Sequence, residues 1–399
     1  MISGNLKTLV AVLAASAAMV SGVQANGFSR GNADTDIIYE DGRFDARLGV
    51  VYTTPNRGYE TINGAAVTDS DYSDSYAVPT AAAKFNITED LRCAGTYTQP
   101  FGADVSYGPQ AIVAGLTADR KGTASMDFVA NELGLTCGYK FKAGPGNLWL
   151  LGGAFVEDIS YHEGTFVGGI SVANNFTTLE LKENYQPGYR LGAAYDVPEI
   201  ALRVQAMYRS EVVHNLDGTF YAPAALAAGS IFSNPSAVGS ATLPQSFEIK
   251  AQTGVAPGWL VFGSVKWTNW AAFDVLTYTS ALGAPANRKE FYFKDGWTYS
   301  LGVGHKFNDK LSGSLSLTYD QGVSTTEDVH GDTITLASGV QFNLNEMTKI
   351  SVGGAISHLQ GGSVALSTGA GGIGPGHKFA YTVGDDWAYT VGANILVKF

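Results

Sequence analysis

Segments that alternate apolar and polar residues are joined in this chain by connections that are short and long in strict turn, and few folds allow that. Apolar side chains hold every second place in Phe44, Ala46, Leu48, Val50 and Tyr52, in Ile200 to Tyr208, and from Trp387 through Val391 and Ile395 to Phe399. Period two marks a strand with one apolar face. Short joints near 88–90, 143–146, 197–199, 256–258, 308–310 and 345–346 separate long ones near 55–77, 108–122, 161–176, 215–243, 281–288, 323–330 and 359–385. Six short and seven long connections join 14 strands, an even number that puts both chain ends on the short-turn side. A soluble sandwich has no reason to sort its loops by end. A sheet in lipid must close so that no backbone group is left unpaired, and its outer face must be apolar. The pattern predicts an all-β, 14-stranded antiparallel transmembrane β-barrel.

Composition agrees. Charged residues are 15% of the 399 residues, against roughly 25% in soluble domains. Mean hydropathy is only +0.03. Disorder needs more charge, and a helical membrane protein needs repeated apolar runs of about 18 residues or more. A net charge of −11 leaves no basic stripe for nucleic acid. Residues 1–25 read as a signal peptide, with the apolar stretch Leu9 to Val20 ahead of Val23-Gln24-Ala25. The predicted organisation is a signal peptide over 1–25, a short N-terminal plug over 26–42 and the barrel over 43–399. The closing Phe399 looks like the sorting signal of Gram-negative outer-membrane barrels. That location makes outer-membrane lipid and lipopolysaccharide the surroundings of an expected monomer.

Four stretches carry a family likeness. Tyr208-Arg209-Ser210-Glu211-Val212 follows Gly188-Tyr189-Arg190-Leu191-Gly192. Leu243-Pro244-Gln245-Ser246-Phe247-Glu248 opens one strand, Trp267-Thr268-Asn269-Trp270 closes the next, and Phe293-Lys294-Asp295-Gly296-Trp297 leads into another. With Gly27-Phe28 and Phe399, the chain resembles the FadL-type long-chain fatty-acid transporters, which include importers of aromatic hydrocarbons. The resemblance implies passive transport by loop capture, lumen binding and lateral release, with a plugged lumen and a kinked third strand. Outer-membrane transport of long-chain fatty acids is the expected function, and the rivals are an importer of aromatic hydrocarbons and a non-specific aqueous porin. The partner is then a long-chain fatty acid or another hydrophobic small molecule, and no cofactor, metal or enzymatic step is expected.

The resemblance also assigns residues. Phe28 belongs to the plug, and Pro100-Phe101-Gly102 marks the lateral opening, with Phe101 lining it. Read from the residues alone, Pro100 and Gly102 break strand pairing, which also suits a strand simply ending. Lys289 fits the basic position that meets a carboxylate, and His162 stands near the second. Arg203 and Arg209 are lumen candidates by strand parity, as ligand contacts or as structural partners of acidic residues. Phe220, Leu226, Ile231 and Phe232 form either an extracellular apolar groove or a loop packed on itself. Trp149, Tyr195, Trp259, Trp297 and Trp387 suit the interfacial girdles. The acidic Asp69, Asp71 and Asp74 read as a solvated loop. Cys93 and Cys137 lie at equal distance from a loop centred near residue 115, so symmetric pairing opposes them and an exported protein can bond them.

Overall fold

The computed structural model describes residues 27–119, 121–168, 176–221, 236–273, 275–280, 287–325, 329–365 and 379–399. The proposed signal peptide, together with Leu226, Ile231 and Phe232, lies outside the described residues. Fourteen staves close a barrel: β1 Phe44–Asn56, β2 Tyr76–Asn86, β3 Leu91–Ser106, β4 Lys121–Ala143, β5 Gly146–Val167 and β6 Phe176–Val197. Next come four staves in two pieces each: β7 Leu202–Arg209 and Val212–Tyr221, β8 Ser236–Leu243 and Ser246–Ala256, β9 Trp259–Thr268 and Val275–Ser280, β10 Asn287–Glu290 and Gly296–Lys306. β11 Leu311–Asp320, β12 Thr333–Asn343, β13 Thr348–Leu359 and β14 Asp386–Lys398 complete the circuit. The last stave returns to the first in antiparallel register, from Asp45 opposite Lys398 to Asn56 opposite Trp387.

Parity assigns the two faces. Along β1, Leu48, Val50 and Tyr52 are exposed on the outside while Asp45 and Arg47 are buried inside. The same exposed apolar rows continue through Leu133, Leu135 and Tyr139 on β4 and through Leu315 and Leu317 on β11. In water such a surface would aggregate; in lipid it is the solvated face. Exposed Trp259 follows a short turn, whereas exposed Trp387 opens β14 and exposed Trp297 opens the second piece of β10, both far from the short-turn end, so they mark opposite girdles. Trp149 does not join them. It is buried inside, where Nε1–H donates to Asp196 and its ring meets Tyr39 edge-on at 5.3 Å.

The predicted loops at 108–122 and 215–243 hold more structure than expected. The first contains helix α1, Pro109–Asp119, whose opening amides at Gln110 and Ala111 donate to Asp69 at 2.7 and 3.3 Å. Asp69 is thus a helix cap rather than a merely solvated acid. In the second, the ladder continues to Tyr221 and resumes at Ser236, which makes Phe220 a strand residue packed against the inner core instead of a loop residue. A small outer sheet combines Tyr59–Ile62, Ala65–Ala66, Gly362–Val364 and Tyr381–Val383. Its tight hairpin turns at Asn63-Gly64, with φ of 51° and 80°. Those values are the ones a two-residue hairpin requires.

The segment before β1 folds into the barrel floor. Its 3₁₀ turn Thr35–Tyr39 buries Ile37 and Ile38 completely among Ala82, Ala94, Ala194, Met207 and Leu396, side chains from opposite parts of the wall. Small alanines on the staves make room for the isoleucines. Cys93 and Cys137 stand opposite each other on the β3–β4 ladder, with the sulfurs bonded at 2.06 Å. Denatured but unreduced protein is therefore expected to take up no alkylating reagent, and reduced protein two equivalents, read by intact mass. Labelling of both cysteines without reductant would refute the bond.

Candidate ligand pocket and the break in the wall

Four neighbouring staves are interrupted at one level, at Ser210-Glu211, at Pro244-Gln245, after Thr268 and at 291–295. Proline without an N–H and the short 3₁₀ turn Trp270–Ala272 cannot continue a ladder. Each interruption lets side chains turn into the lumen. Trp270, Phe273 and Phe293 are buried there, facing Phe128, Ile159 and Tyr161 from the tall staves β4 and β5. The result is an apolar pocket inside an otherwise polar tube.

Phe28 fills it. Its ring makes edge-on contacts with Phe128 at 5.2 Å, Phe291 at 5.4 Å, Phe273 at 5.6 Å and Trp270 at 6.1 Å. His330 closes another side at 5.3 Å. Edge-to-face rings at these separations add to simple burial. Only about 10 Å³ of void remains around Phe28, Met126, Leu216 and their neighbours, so a ligand can enter only if Phe28 leaves.

The segment carrying Phe28 is bonded to the weakest place in the wall. β2 and β3 pair from Asn86–Arg92 up to Ala81–Tyr97 and no further, although both staves continue. On its other side, the β3–β4 register slips between Thr98 and Phe101, across Gln99 and Pro100. Ser29 bridges Phe101 in antiparallel fashion, Arg30 N–H donates to Pro100 O at 2.8 Å, and Gly102 N–H donates to Phe28 O at 3.0 Å. The N-terminal segment thus acts as a partial extra strand along the free edge. Arg30 clasps both sides of the gap, bonded to Asp104 of β3 at 2.6 Å and lying over the Tyr76 ring of β2 at 3.9 Å.

Below the pocket the lumen is charged. Arg209 reaches Glu132 at 3.1 Å and also bonds Glu157; Arg190 bonds Glu132, and His214 sits between Glu157 at 3.3 Å and Glu183 at 3.2 Å. Deeper lies a cavity of about 320 Å³ lined by Asp36, Arg203, Lys250, Ser300, Thr335 and Asn394 among others. Lys250 holds the plug by bonding both oxygens of Asp36 at 2.9 and 3.0 Å. Burial would raise the Asp36 carboxyl, but Lys250 and Arg203 beside it hold it down to about 2. A carboxyl depressed in the folded state stabilises above its unfolded value, near 3.9, and loses that contribution as pH falls through the folded one. The plug is therefore expected to stay protease-resistant from pH 8 to about pH 4 and to loosen only toward pH 2, read by limited proteolysis with an acid-active protease. Release between pH 5 and 6 would contradict the tether.

The expected site residues divide accordingly. Phe28 and Phe101 meet in the pocket, both against Trp270. Pro100, Phe101 and Gly102 lie where pairing lapses. Arg209 belongs to the carboxylate network and stacks on Phe101 at 5.1 Å, Arg203 lies over Tyr39, and both line the cavity of about 320 Å³. Lys289 has its backbone in the ladder opposite Leu276, and its side chain lies outside the described residues. His162 is misplaced. Tyr161 faces the pocket, so its neighbour faces out, where half-exposed His162 meets Asp127 at 3.0 Å. Trp270, Phe273, Phe293 and Arg30 were not singled out for the site from sequence. The one available signal was Trp267-Thr268-Asn269-Trp270, whose two tryptophans cannot share a face of an unbroken strand.

Comparison with known proteins gives a consistent picture. A family model described as "Outer membrane protein transport protein (OMPP1/FadL/TodX)" matches residues 15–399. The long-chain fatty acid transport protein of Escherichia coli (strain K12) is 26% identical over 200 residues, covering 46% of this chain and 43% of that protein. That of Salmonella typhi is 25% identical over 196 residues, covering 46% and 44%. The chain thus spans less than half the length of these curated relatives. Among solved structures, a Pseudomonas aeruginosa FadL homologue superposes with a TM-score of 0.71 at 15% identity, over 91% of this chain and 92% of that one. The Pseudomonas putida toluene transporter TodX gives 0.61 at 15% identity, over 96% and 97%. At such identities the superpositions speak for the fold, and the family match speaks for the whole length: the chain belongs to the OMPP1/FadL/TodX family of outer membrane transport proteins.

Proposed function

We propose that this protein carries hydrophobic small molecules, long-chain fatty acids or aromatic hydrocarbons, passively through the Gram-negative outer membrane, as a monomer set in lipid and lipopolysaccharide. A ligand gathered at the outer loops enters the aromatic pocket by displacing Phe28. Because Phe28 O and Arg30 N–H are bonded to the free edge of β3, displacement frees that edge, and the ligand leaves sideways between β2 and β3. No chemical step and no energy coupling enter this cycle.

The carrying observation is the coincidence of three features: an apolar pocket, its occupation by the chain's own Phe28, and the bonding of that segment where the wall ladder lapses. Several rings stand nearly perpendicular to Phe28, an arrangement better matched to a planar aromatic guest than to a flexible acyl chain. This favours the aromatic reading of the substrate. The test is uptake of labelled toluene and oleate by Gram-negative cells lacking their own such transporter, with salt conductance measured in planar bilayers. Uptake with negligible conductance is expected. High conductance without selective uptake would identify an aqueous porin instead.

A further inference from the structure

We propose that Trp270 is a specificity-determining residue, selecting among hydrophobic guests those that carry a hydrogen-bond acceptor beside an aromatic ring. The inference rests on the reading that a guest takes the place of Phe28. Trp270 is fully buried, at the head of the turn that interrupts β9. Phe101 at 5.6 Å, Phe293 at 6.1 Å and Phe273 at 6.2 Å fix its ring by edge-on contact. Its only polar atom, Nε1, has no hydrogen-bond partner among the described residues. A buried donor is costly to leave unmade, and each such orphan calls for a reason. Phenylalanine would supply much of the packing without that cost.

The position of the orphan supplies the reason. Gly27 lies against the face of the indole at the bond its two rings share: a Cβ at that residue would come within 2.5 Å of Trp270 Cε2 and 2.6 Å of Cδ2. Gly27 and Phe28 are consecutive, so a guest that expels Phe28 from the pocket also draws Gly27 off the indole and lets the ring adjust to its new neighbour. The guest then occupies the place of the Phe28 ring, centred 6.1 Å from the indole, near enough for an acceptor on it to meet the unpaired donor. A ketone, ether, hydroxyl or carboxylate oxygen on the guest satisfies it, whereas a pure hydrocarbon leaves it as costly as before.

The test uses detergent-solubilised full-length protein and two guests of similar size, acetophenone and isopropylbenzene. Trp270→Phe removes the donor together with part of the ring; the lost packing affects both guests alike, so the difference between them reads the donor. The variant is expected to bind acetophenone about three- to tenfold more weakly, the range of one net hydrogen bond, and isopropylbenzene within about twofold of wild type. Equal changes for both guests, or none for either, overturn the inference. A second measurement needs no variant. With ¹⁵N-indole labelling of the six tryptophans, acetophenone is expected to move one indole proton downfield, and isopropylbenzene none. Six unmoved protons with acetophenone bound would refute the role of Trp270 while leaving the pocket reading intact. If wild type binds neither guest, the pocket reading fails and this inference with it.

Discussion

Replacing Arg209 by leucine is expected to cost about 3–5 kcal/mol, the range found when one partner of a buried ion pair is removed. Glu132 and Glu157 are both buried, and Arg209 serves both, with its guanidinium also lying over the rings of Phe101 and Phe155. Without it, Arg190 still meets Glu132, but Glu157 keeps only His214. An uncompensated carboxylate in that position must either find water or take up a proton. The measurement is the temperature at which the compact band on unheated SDS gels converts to the extended one. Adding Glu157→Gln alone to Arg209→Leu is expected to recover much of the loss, because Arg190 still pairs with Glu132 and Glu157 no longer carries an unpaired charge. Arg209→Lys should fall between, since a point charge cannot span two carboxylates as a fork does. A single Arg209→Leu protein as heat-resistant as wild type would show that the network is solvated.

The second large effect concerns Phe28. Burying a phenylalanine side chain is worth about 1.5–3 kcal/mol, and any guest in its pocket must first forgo that contribution. Phe28→Ala removes the competitor and leaves the pocket walls intact. The apparent affinity for toluene or for a fluorescent fatty-acid analogue is therefore expected to rise by about 10- to 100-fold, as a binding-competent state that was rare becomes common. Calorimetry or probe fluorescence in detergent reads this directly. A weaker complex would mean that Phe28 is part of the guest's wall rather than its rival, and the displacement step would have to be abandoned.

Much of the barrel is legible from one strand at a time, because parity and turn chemistry are local. The alternation of short and long joints locates all fourteen staves. Asn63-Gly64 is an equally local hairpin signal, but it sits where a long loop is expected and passes unnoticed there. Helix α1 is hidden for a related reason: its apolar residues occupy no single stripe that would set it apart from a loop. Trp149 reads as a girdle residue until Asp196 and Tyr39 are seen to receive it from other segments. His162 differs for another reason: it is expected in a loop at 161–176, but the stave continues to Val167 and parity then turns this side chain outward. The pocket is the least legible part, since Phe28, Phe128, Trp270 and Phe293 are far apart in sequence and meet only once the sheet has closed. Which staves break can be guessed from Pro244 or from Trp267 and Trp270. That four breaks fall at one height follows only from the register.

Two backbone bonds, Arg30 to Pro100 and Gly102 to Phe28, join the N-terminal segment to the edge of β3, beside the ion pair of Arg30 with Asp104 and the seat of Phe28. Exchanging a pair of amide bonds for bonds to lumen water involves a free-energy change of only about 1–3 kcal/mol. On the proposed route, a guest that takes the seat of Phe28 itself supplies what such a doorway needs to swing. Its traffic is governed by how long each passenger lingers among the rings, and the most adhesive compounds should be the slowest to cross.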